Sequence, residues 1–226
     1  ESSAASDVYK RQVIMQAANT GLTGGSTPHG NEYDRPVLII NTLRIKDIHI
    51  INEGRQIIGL SGSTLYGLER KLKPFAREPH SVIGSTSIGA SIVGGICNNS
   101  GGSLVKRGPA YTELALYAKV NKNGKLELVN DLGVNLGSKP EEILKNLQNI
   151  NYKKSDIINT DKLASDDKYS EIVRQIDSKT PARFNADERL LHGASGSAGK
   201  VIVFAVRLDT YPKPKKSRAV SYTHLT

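Results

Sequence analysis

Three segments rich in glycine and serine, each next to a short apolar run, constrain this chain more than any other feature of its sequence. They occupy residues 16–30, 84–103 and 193–199. Glycine accepts left-handed backbone conformations and lets another group approach closely, because it has no Cβ. Such segments serve either as tight turns or as cradles whose backbone N–H groups surround an anion. The residues alone leave both interpretations open.

Short apolar runs between these segments predict strands. They lie at residues 13–15, 37–41, 47–51, 56–61, 114–121, 125–129 and 201–206. The stretch 122–124, Lys-Asn-Gly, joins two of these runs and predicts a hairpin. Together with few helices, this pattern indicates an α+β fold.

Apolar spacing and capping residues predict four helices. They cover residues 64–72, 88–97, 138–150 and 169–176. Thr64 is expected to cap the first and Pro74 to end it, and Ser138 is expected to cap the third. The second helix consists almost only of small or apolar residues, and we expect its N-terminus to point at residues 84–87. Free N–H groups there would favour an anion.

Composition excludes several classes of protein. The chain has 226 residues, which suits one large domain or two small ones. Its one cysteine, Cys97, excludes a disulfide framework, and its five histidines are too scattered to predict a metal site. No apolar run reaches the ~18–20 residues that a membrane-spanning helix needs. The spacings of a P-loop, a Rossmann glycine fingerprint and a nucleophile elbow are absent from the sequence.

Charge is the main argument for a different class of function. The net charge is +9, but four of the basic residues lie at positions 213–218. The rest is a mild bias, compatible with a phosphate-bearing ligand. A cofactor-free module that binds RNA or anionic lipid is the alternative from another class. The lack of tryptophan and the 5% aromatic content argue against a base-stacking surface and against a nucleic-acid partner.

Both ends of the chain look foreign to the rest. Residues 6–12 and 219–226 resemble adapter sequence translated at the edges of assembled reads, and disordered native tails are the alternative. We therefore predict non-native tails at residues 1–12 and 213–226. The folded part is expected at residues 13–212, with a polar surface excursion at residues 139–178. We also expect the chain to begin and stop inside a longer protein.

Long runs of the sequence resemble one family of flavoproteins. The run MQAANTGLTGGSTP at residues 15–28 and those at 77–91, 94–105 and 107–113 are similar to the flavin loops of quinone-dependent, FAD-containing D-lactate dehydrogenases. Residues 180–187 and 198–210 extend the similarity. The resemblance implies a FAD-binding domain of the vanillyl-alcohol-oxidase or PCMH type, in which FAD lies between two α+β subdomains. By this resemblance, nearly all of the N-terminal half of the first subdomain is expected to be missing, so the domain is expected to be N-terminally truncated.

The resemblance also implies which residues bind the cofactor. In the first loop, the residues expected to hold the FAD pyrophosphate are Ala17, Ala18, Asn19, Thr20, Gly21, Gly25 and Ser26. Contacts from the second loop and helix are expected at Gly84, Ser91 and Gly101. Val203 is expected to contact the adenine end through its backbone, and an ordinary core valine is the alternative. FAD is expected to be non-covalent, because His29, the one histidine near this loop, lies beyond Pro28.

For the whole protein, the resemblance implies oxidation of D-lactate to pyruvate by hydride transfer to FAD, followed by electron transfer to a membrane quinone. A flavoenzyme for another 2-hydroxy acid is the alternative within the class. The catalytic residues are expected beyond residue 212, so we assign none here. His80 and Arg77 are interpreted as hydrogen-bonded loop residues. The family is peripheral, on the cytoplasmic side of the bacterial inner membrane, and its membrane contact is expected in segments outside this chain.

Overall fold

The computed structural model describes residues 11–80, 88–101, 107–177 and 187–216. Its strands are β1 (Gln12–Gln16), β2 (Val37–Asn41), β3 (Ile48–Ile51), β4 (Gln56–Leu60), β5 (Arg77–Glu78), β6 (Ala115–Val120), β7 (Leu126–Asn130), β8 (Ile202–Asp209) and β9 (Tyr211–Pro212). Its α-helices are α1 (Leu65–Leu72), α2 (Ile92–Cys97), α3 (Pro140–Gln148) and α4 (Tyr169–Ile172). All seven predicted strands are confirmed, with small shifts at their ends.

A five-stranded antiparallel sheet forms the centre of the fold, in the order β3-β4-β8-β6-β7. The middle strand β8 has buried apolar residues on both faces, which is the pattern of a strand covered from both sides. Its Val203, Ala205, Val206 and Leu208 are all buried. The hairpin between β6 and β7 is also confirmed, with Gly124 in the left-handed region at φ 74°.

Helices cover both faces of this sheet. Neighbouring residues of β4 point to opposite sides, so Ile57 packs with α1 and α2 while Ile58 packs with α3. The α1 helix begins as predicted, because the Thr64 hydroxyl accepts a hydrogen bond from Gly67 N at 3.1 Å. The α3 helix contributes buried Ile143 and Leu147 to the second face. Residues 139–178, predicted as a surface excursion, thus include a helix that packs on the sheet.

Strands β1 and β2 form a separate parallel pair. The pair connects to the main sheet through the segment at residues 42–45. Thr42 N donates to Gln16 O at 2.8 Å, and Gly62 N donates to Ile45 O at 2.7 Å. Its apolar side chains are incompletely covered, since Leu38 is 41% and Ile39 is 45% exposed.

The predicted helix over residues 88–97 is wrong in its first half. The α2 helix begins at Ile92, and Ile88 is 70% exposed. Residues 90–92 instead run beside the start of α1. Leu65 N donates to Ala90 O and Ile92 N donates to Ser63 O, both at 2.9 Å. This extended pairing uses groups that a longer helix would need, so the helix starts at Ile92 instead of residue 88. Residues 81–87 themselves lie outside the described residues.

Two other helices also differ from prediction. The N-cap of α3 is Lys139, not Ser138, and Ile150 lies beyond the helix end at φ 55°. The α4 helix is a single turn, and Ile176 is 85% exposed rather than on a buried face. In both cases the spacing of apolar residues predicted a longer helix than the structure has.

The inner ends of the two predicted tails are hydrogen-bonded. Gln12 N donates to Pro36 O, and Lys213 N donates to Ala76 O, both at 2.9 Å. Residues 1–10 and 217–226 lie outside the described residues, and the prediction that the tails are non-native remains a prediction.

Candidate functional site

The first glycine-rich loop follows β1 and is closed at its base. Gln16 Nε2 donates to Ser26 O at 2.9 Å, and Ser26 Oγ donates to Asn19 Oδ1 at 2.9 Å. Within the loop, Gly24 N donates to Gly21 O at 3.2 Å. These bonds hold the two ends of the loop together, so residues 17–26 form one turn-like unit.

The space around this loop is open. A Cβ built on Gly21 or Gly24 would meet no atom within 4 Å. Asn19, at φ 54°, and Gly24, at φ 67°, adopt left-handed conformations that turn successive peptide groups. The backbone N–H groups of residues 18–21 donate to no acceptor among the described residues. Unused donors around open space are what an anion cradle requires, so this loop fits a phosphate-bearing group.

A glycine that the sequence did not single out joins this loop to the sheet. A Cβ on Gly62 would lie 2.4 Å from Thr42 O and 2.8 Å from Leu43 O. Both atoms belong to the backbone, so neither can move aside cheaply. We call the contact between residues 42–45 and Gly62 the seam. No local pattern could have predicted it, because the residues in contact are about twenty positions apart in the chain.

The second loop reaches the same end of the sheet. Ser63, one residue beyond the seam glycine, accepts the Ile92 N–H through its carbonyl at 2.9 Å. Ser91, which is 6% exposed, caps α2 by accepting from Gly94 N at 3.1 Å. A chain of backbone hydrogen bonds therefore runs from the base of the first loop, across the seam, to the start of α2.

Two buried polar atoms near α2 have no hydrogen-bond partner among the described residues. They are Ser61 Oγ, at the end of β4, and Asn99 Oδ1, just after α2. Both residues are 2% exposed. Buried polar atoms are normally satisfied by protein, water or ligand. These two therefore fit a polar group bound along this side of the sheet.

The remaining predicted site residues differ in burial, and one of them lies outside the described residues. Gly101 is half-buried and Gly84 lies outside the described residues. Val203 is 4% exposed, packs in the core cluster beside α1 and α2, and pairs with Tyr117. Val203 is thus an ordinary core residue, which was the alternative interpretation of this position. A contact through its backbone stays a prediction.

His80 and Arg77 belong to the packing of the chain around β5 and β9. Arg77 Nε donates to Thr210 Oγ1 at 2.5 Å, and Arg107 Nη1 donates to Pro79 O at 2.9 Å. Burial, together with the nearby Arg107 charge, lowers the pKa of His80 to about 4. A neutral, enclosed imidazole of this kind agrees with the interpretation as a structural residue.

Metal and membrane signatures are not found in the described part of the chain. There, no group of three or more His, Cys, Asp or Glu side chains is arranged to hold a metal ion. No helix within the described ranges is long and apolar enough to cross a membrane.

Solved structures with a similar fold define the class. An alkyldihydroxyacetonephosphate synthase matches 92% of this chain and 28% of its own, with a TM-score of 0.51 and 13% identity. A variant of Phl p 4, a glucose dehydrogenase, matches 91% of this chain and 31% of its own, with a TM-score of 0.50 and 14% identity. No protein-family model matches the chain. The fold is that of the FAD-binding domains of the vanillyl-alcohol-oxidase or PCMH type.

Curated relatives then define the family. Proteins named quinone-dependent D-lactate dehydrogenase match at 61% identity in Haemophilus influenzae and 56% in Escherichia coli, each over 93% of this chain. One in Corynebacterium glutamicum matches at 52% over 89% of the chain. The predicted resemblance to quinone-dependent D-lactate dehydrogenases is therefore confirmed for nearly the whole of this chain. The chain spans 35–37% of the length of these relatives.

Proposed function

We propose that this chain is the FAD-binding part of a respiratory D-lactate dehydrogenase, which oxidises D-lactate to pyruvate and passes the electrons to a membrane quinone. The observation that carries the proposal is 61% identity, over 93% of the chain, to a relative named quinone-dependent D-lactate dehydrogenase. The open first loop, with its unused N–H groups, independently supports a phosphate-bearing cofactor. The activity, the substrate and the quinone belong to the whole protein and are proposed on the strength of the relatives.

The residues of the first loop would hold the cofactor through peptide groups. The N–H groups of residues 18–21 would bind the pyrophosphate oxygens. Ser26 would keep Asn19 in place through their 2.9 Å hydrogen bond. Ser91 would act by fixing the start of α2, with Gly84, Gly101 and the backbone of Val203 completing the site. When bound, FAD supplies the two-electron acceptor that lactate oxidation needs.

We further propose that FAD is held without a covalent bond. His29 is exposed and follows Pro28, which fixes its own φ and limits the path of the chain. The His29 backbone N–H donates to the Tyr33 hydroxyl at 3.0 Å, which ties this residue to the turn that follows it. Acid precipitation of the holoenzyme should release all the yellow colour. Colour that stays in the pellet, and is lost in His29→Ala, would contradict the proposal.

The partners of the whole protein follow the same proposal. D-lactate or a related 2-hydroxy acid is the substrate, and a quinone is the electron acceptor. The protein would lie peripherally on the cytoplasmic side of the bacterial inner membrane, with contacts made by segments outside this chain. The catalytic groups are proposed to lie beyond residue 212, and FAD is the one cofactor proposed.

An anaerobic titration of the complete enzyme tests the function. D-lactate should bleach the flavin absorbance, and a soluble quinone should restore it. L-lactate and longer 2-hydroxy acids serve as matched substrates. If one of these acids bleaches the flavin faster than D-lactate does, that acid is the substrate. A purified protein without flavin absorbance bands would overturn the proposal in favour of the cofactor-free alternative.

A glycine variant tests the cradle itself. Gly21→Val adds bulk where a Cβ meets no protein atom within 4 Å. It should therefore change the free energy of unfolding of the apoprotein by less than about 0.5 kcal/mol, yet abolish flavin retention. The matched control is Thr23→Val, at an exposed position of the same loop that is not assigned to FAD. Stoichiometric FAD in purified Gly21→Val would show that this loop does not hold the cofactor.

A further inference from the structure

A second polar cavity lies at the opposite end of the five-stranded sheet from the cradle. It has a volume of about 430 Å³ and opens where β4 begins and β8 ends. Three basic residues line it, Arg55, Lys162 and Arg207, together with polar Asn52, Asn159 and Thr160. We call this cavity the basic pocket. Its lining contains no carboxylate.

The innermost basic residue is Arg207, which is only 4% exposed. Its Nη1 donates to the carbonyls of Leu132, Gly133 and Ile158 at 3.4, 3.2 and 3.3 Å. Its Nε and Nη2 donate to Gln56 Oε1 at 3.0 and 2.7 Å. Every one of these acceptors is neutral. Buried charges are normally paired with an opposite charge, so this guanidinium is an exception.

The acidic residues nearby stand behind the lining. Asp209 meets Arg207 only indirectly, because Gln56 Nε2 donates to Asp209 Oδ1 at 2.8 Å. Lys162 Nζ contacts Asp131 at 2.6 Å, and Arg55 contacts Glu53 at 3.6 Å on the exposed surface. These carboxylates moderate the positive field without entering the cavity. The basic pocket therefore presents cations and amide groups to a ligand, with only partial neutralisation from behind.

The pocket is preformed. Gly133, at φ 65°, makes room for Arg207, because a Cβ there would lie 2.9 Å from the Nη1 atom. Asn52 is held at φ 50° and donates through Nδ2 to Gln56 Oε1 at 2.7 Å. The inner wall of the pocket is therefore already ordered around the Arg207 guanidinium, which lowers the entropic cost of binding.

We propose that the basic pocket binds a small oxyanion, the phosphate or carboxylate group of a ligand distinct from FAD. Guanidinium groups match both oxyanions in geometry, and the ammonium of Lys162 adds a point charge. The site lies where β4 begins, whereas the seam that joins the cradle to the sheet lies just beyond the end of β4, so the two sites can be occupied together. The proposal does not depend on the proposed oxidation of lactate.

Thermal unfolding of the flavin-loaded complete enzyme tests the site. Inorganic phosphate, acetate and vesicles containing phosphatidylglycerol are titrated separately, with sodium chloride at equal ionic strength as the reference. Occupied FAD keeps phosphate out of the cradle. The pocket variant is Arg55→Gln with Lys162→Gln, which spares the buried Arg207. The matched control is Lys122→Gln with Lys125→Gln, two exposed lysines of the β6–β7 hairpin.

Phosphate or acetate should raise the unfolding temperature above the chloride reference, with an apparent Kd that is at least about fivefold weaker in the pocket variant and unchanged in the control. Nitrogen NMR of wild-type protein should show the Arg207 Nε–Hε signal moving with the same Kd. A response to vesicles but not to the free ions assigns the oxyanion to a lipid headgroup. Equal affinity in the pocket variant, a shift matched by chloride, or an unmoved Arg207 signal would each overturn the proposal.

Discussion

The β1–β2 pair and the five-stranded sheet arise from similar apolar runs, yet they are covered very differently. Ile58 of β4 is 0% exposed, whereas Ile39 of β2 is 45% exposed. The sheet has helices on both faces, while the pair is held by its own ladder and by the seam. An apolar run thus indicates a strand, but the burial of that strand depends on which other segments of the chain pack against it.

This difference bears on function, because the loop of the proposed cradle follows β1, in the more exposed β1–β2 pair. Loops that bind ligands are often drawn from parts of a fold with few buried contacts. Here the sheet supplies rigidity and the β1–β2 pair supplies the loop. The seam joins the β1–β2 pair to the rigid sheet, so a variant that disrupts the seam tests this comparison most directly.

The largest expected effect is at the seam. Gly62→Ala would bring a Cβ to 2.4 Å from Thr42 O, and we expect it to cost about 4 kcal/mol of the free energy of unfolding. Gly21→Ala is the matched control, because a Cβ there meets nothing within 4 Å. Urea unfolding of the flavin-free protein measures both. A Gly62→Ala protein as stable as wild type would mean that the two units are not rigidly joined.

The next effect compares one buried and one exposed apolar side chain. Ile58→Ala should cost about 3 kcal/mol, because it leaves a cavity in the cluster beneath α3. Ile39→Ala in β2 should cost less than about 1 kcal/mol, since much of that side chain already faces solvent. Urea midpoints at constant slope give both values. Equal losses would show that another surface covers β2 in solution.

Local signals in the sequence were sufficient for most strands and for the first helix. Thr64 could be identified as a cap because the hydroxyl acts within one turn. Ser91 is also a cap, but the start of α2 was missed because Ala90 and Ile92 bond to residues about 25 positions earlier in the chain. In the site, glycine content pointed to the first loop. Gly62 carried no such signal, because its constraint comes entirely from the backbone of residues 42 and 43.

The third expected effect is a pH-dependent loss of stability, which compares the buried His80 with the exposed His29 of the first loop. Burial lowers the pKa of His80 from 6.5 to about 4, so the unfolded chain binds the proton more readily. Stability is then fully present above the unfolded value and is lost as the pH falls from there towards the folded value. We expect a loss of about 2 kcal/mol between about pH 7 and about pH 5 from this group.

Burial also lowers the pKa of His49, whose Nδ1 lies 2.7 Å from the Tyr152 hydroxyl, and this adds to the loss in the same direction. Urea unfolding across this pH range should show a shallower pH dependence in His80→Gln. The exposed His29→Gln should follow wild type. An unchanged slope in His80→Gln would mean that its imidazole is not kept neutral by burial.

The smallest effect compares two glycines with nearly the same backbone strain. Gly124 of the hairpin has φ 74° and Gly24 of the first loop has φ 67°, so alanine is disfavoured at both. The hairpin turn is locked, since Gly124 N donates to Asn121 O and Asn121 N donates to Lys125 O, both at 2.9 Å. Gly124→Ala should therefore register the full left-handed penalty of about 1 kcal/mol. The open first loop can relax, so Gly24→Ala should cost about half of that. Unfolding midpoints separate the two, and an equal cost would mean that the first loop is held as tightly as the hairpin even without a ligand.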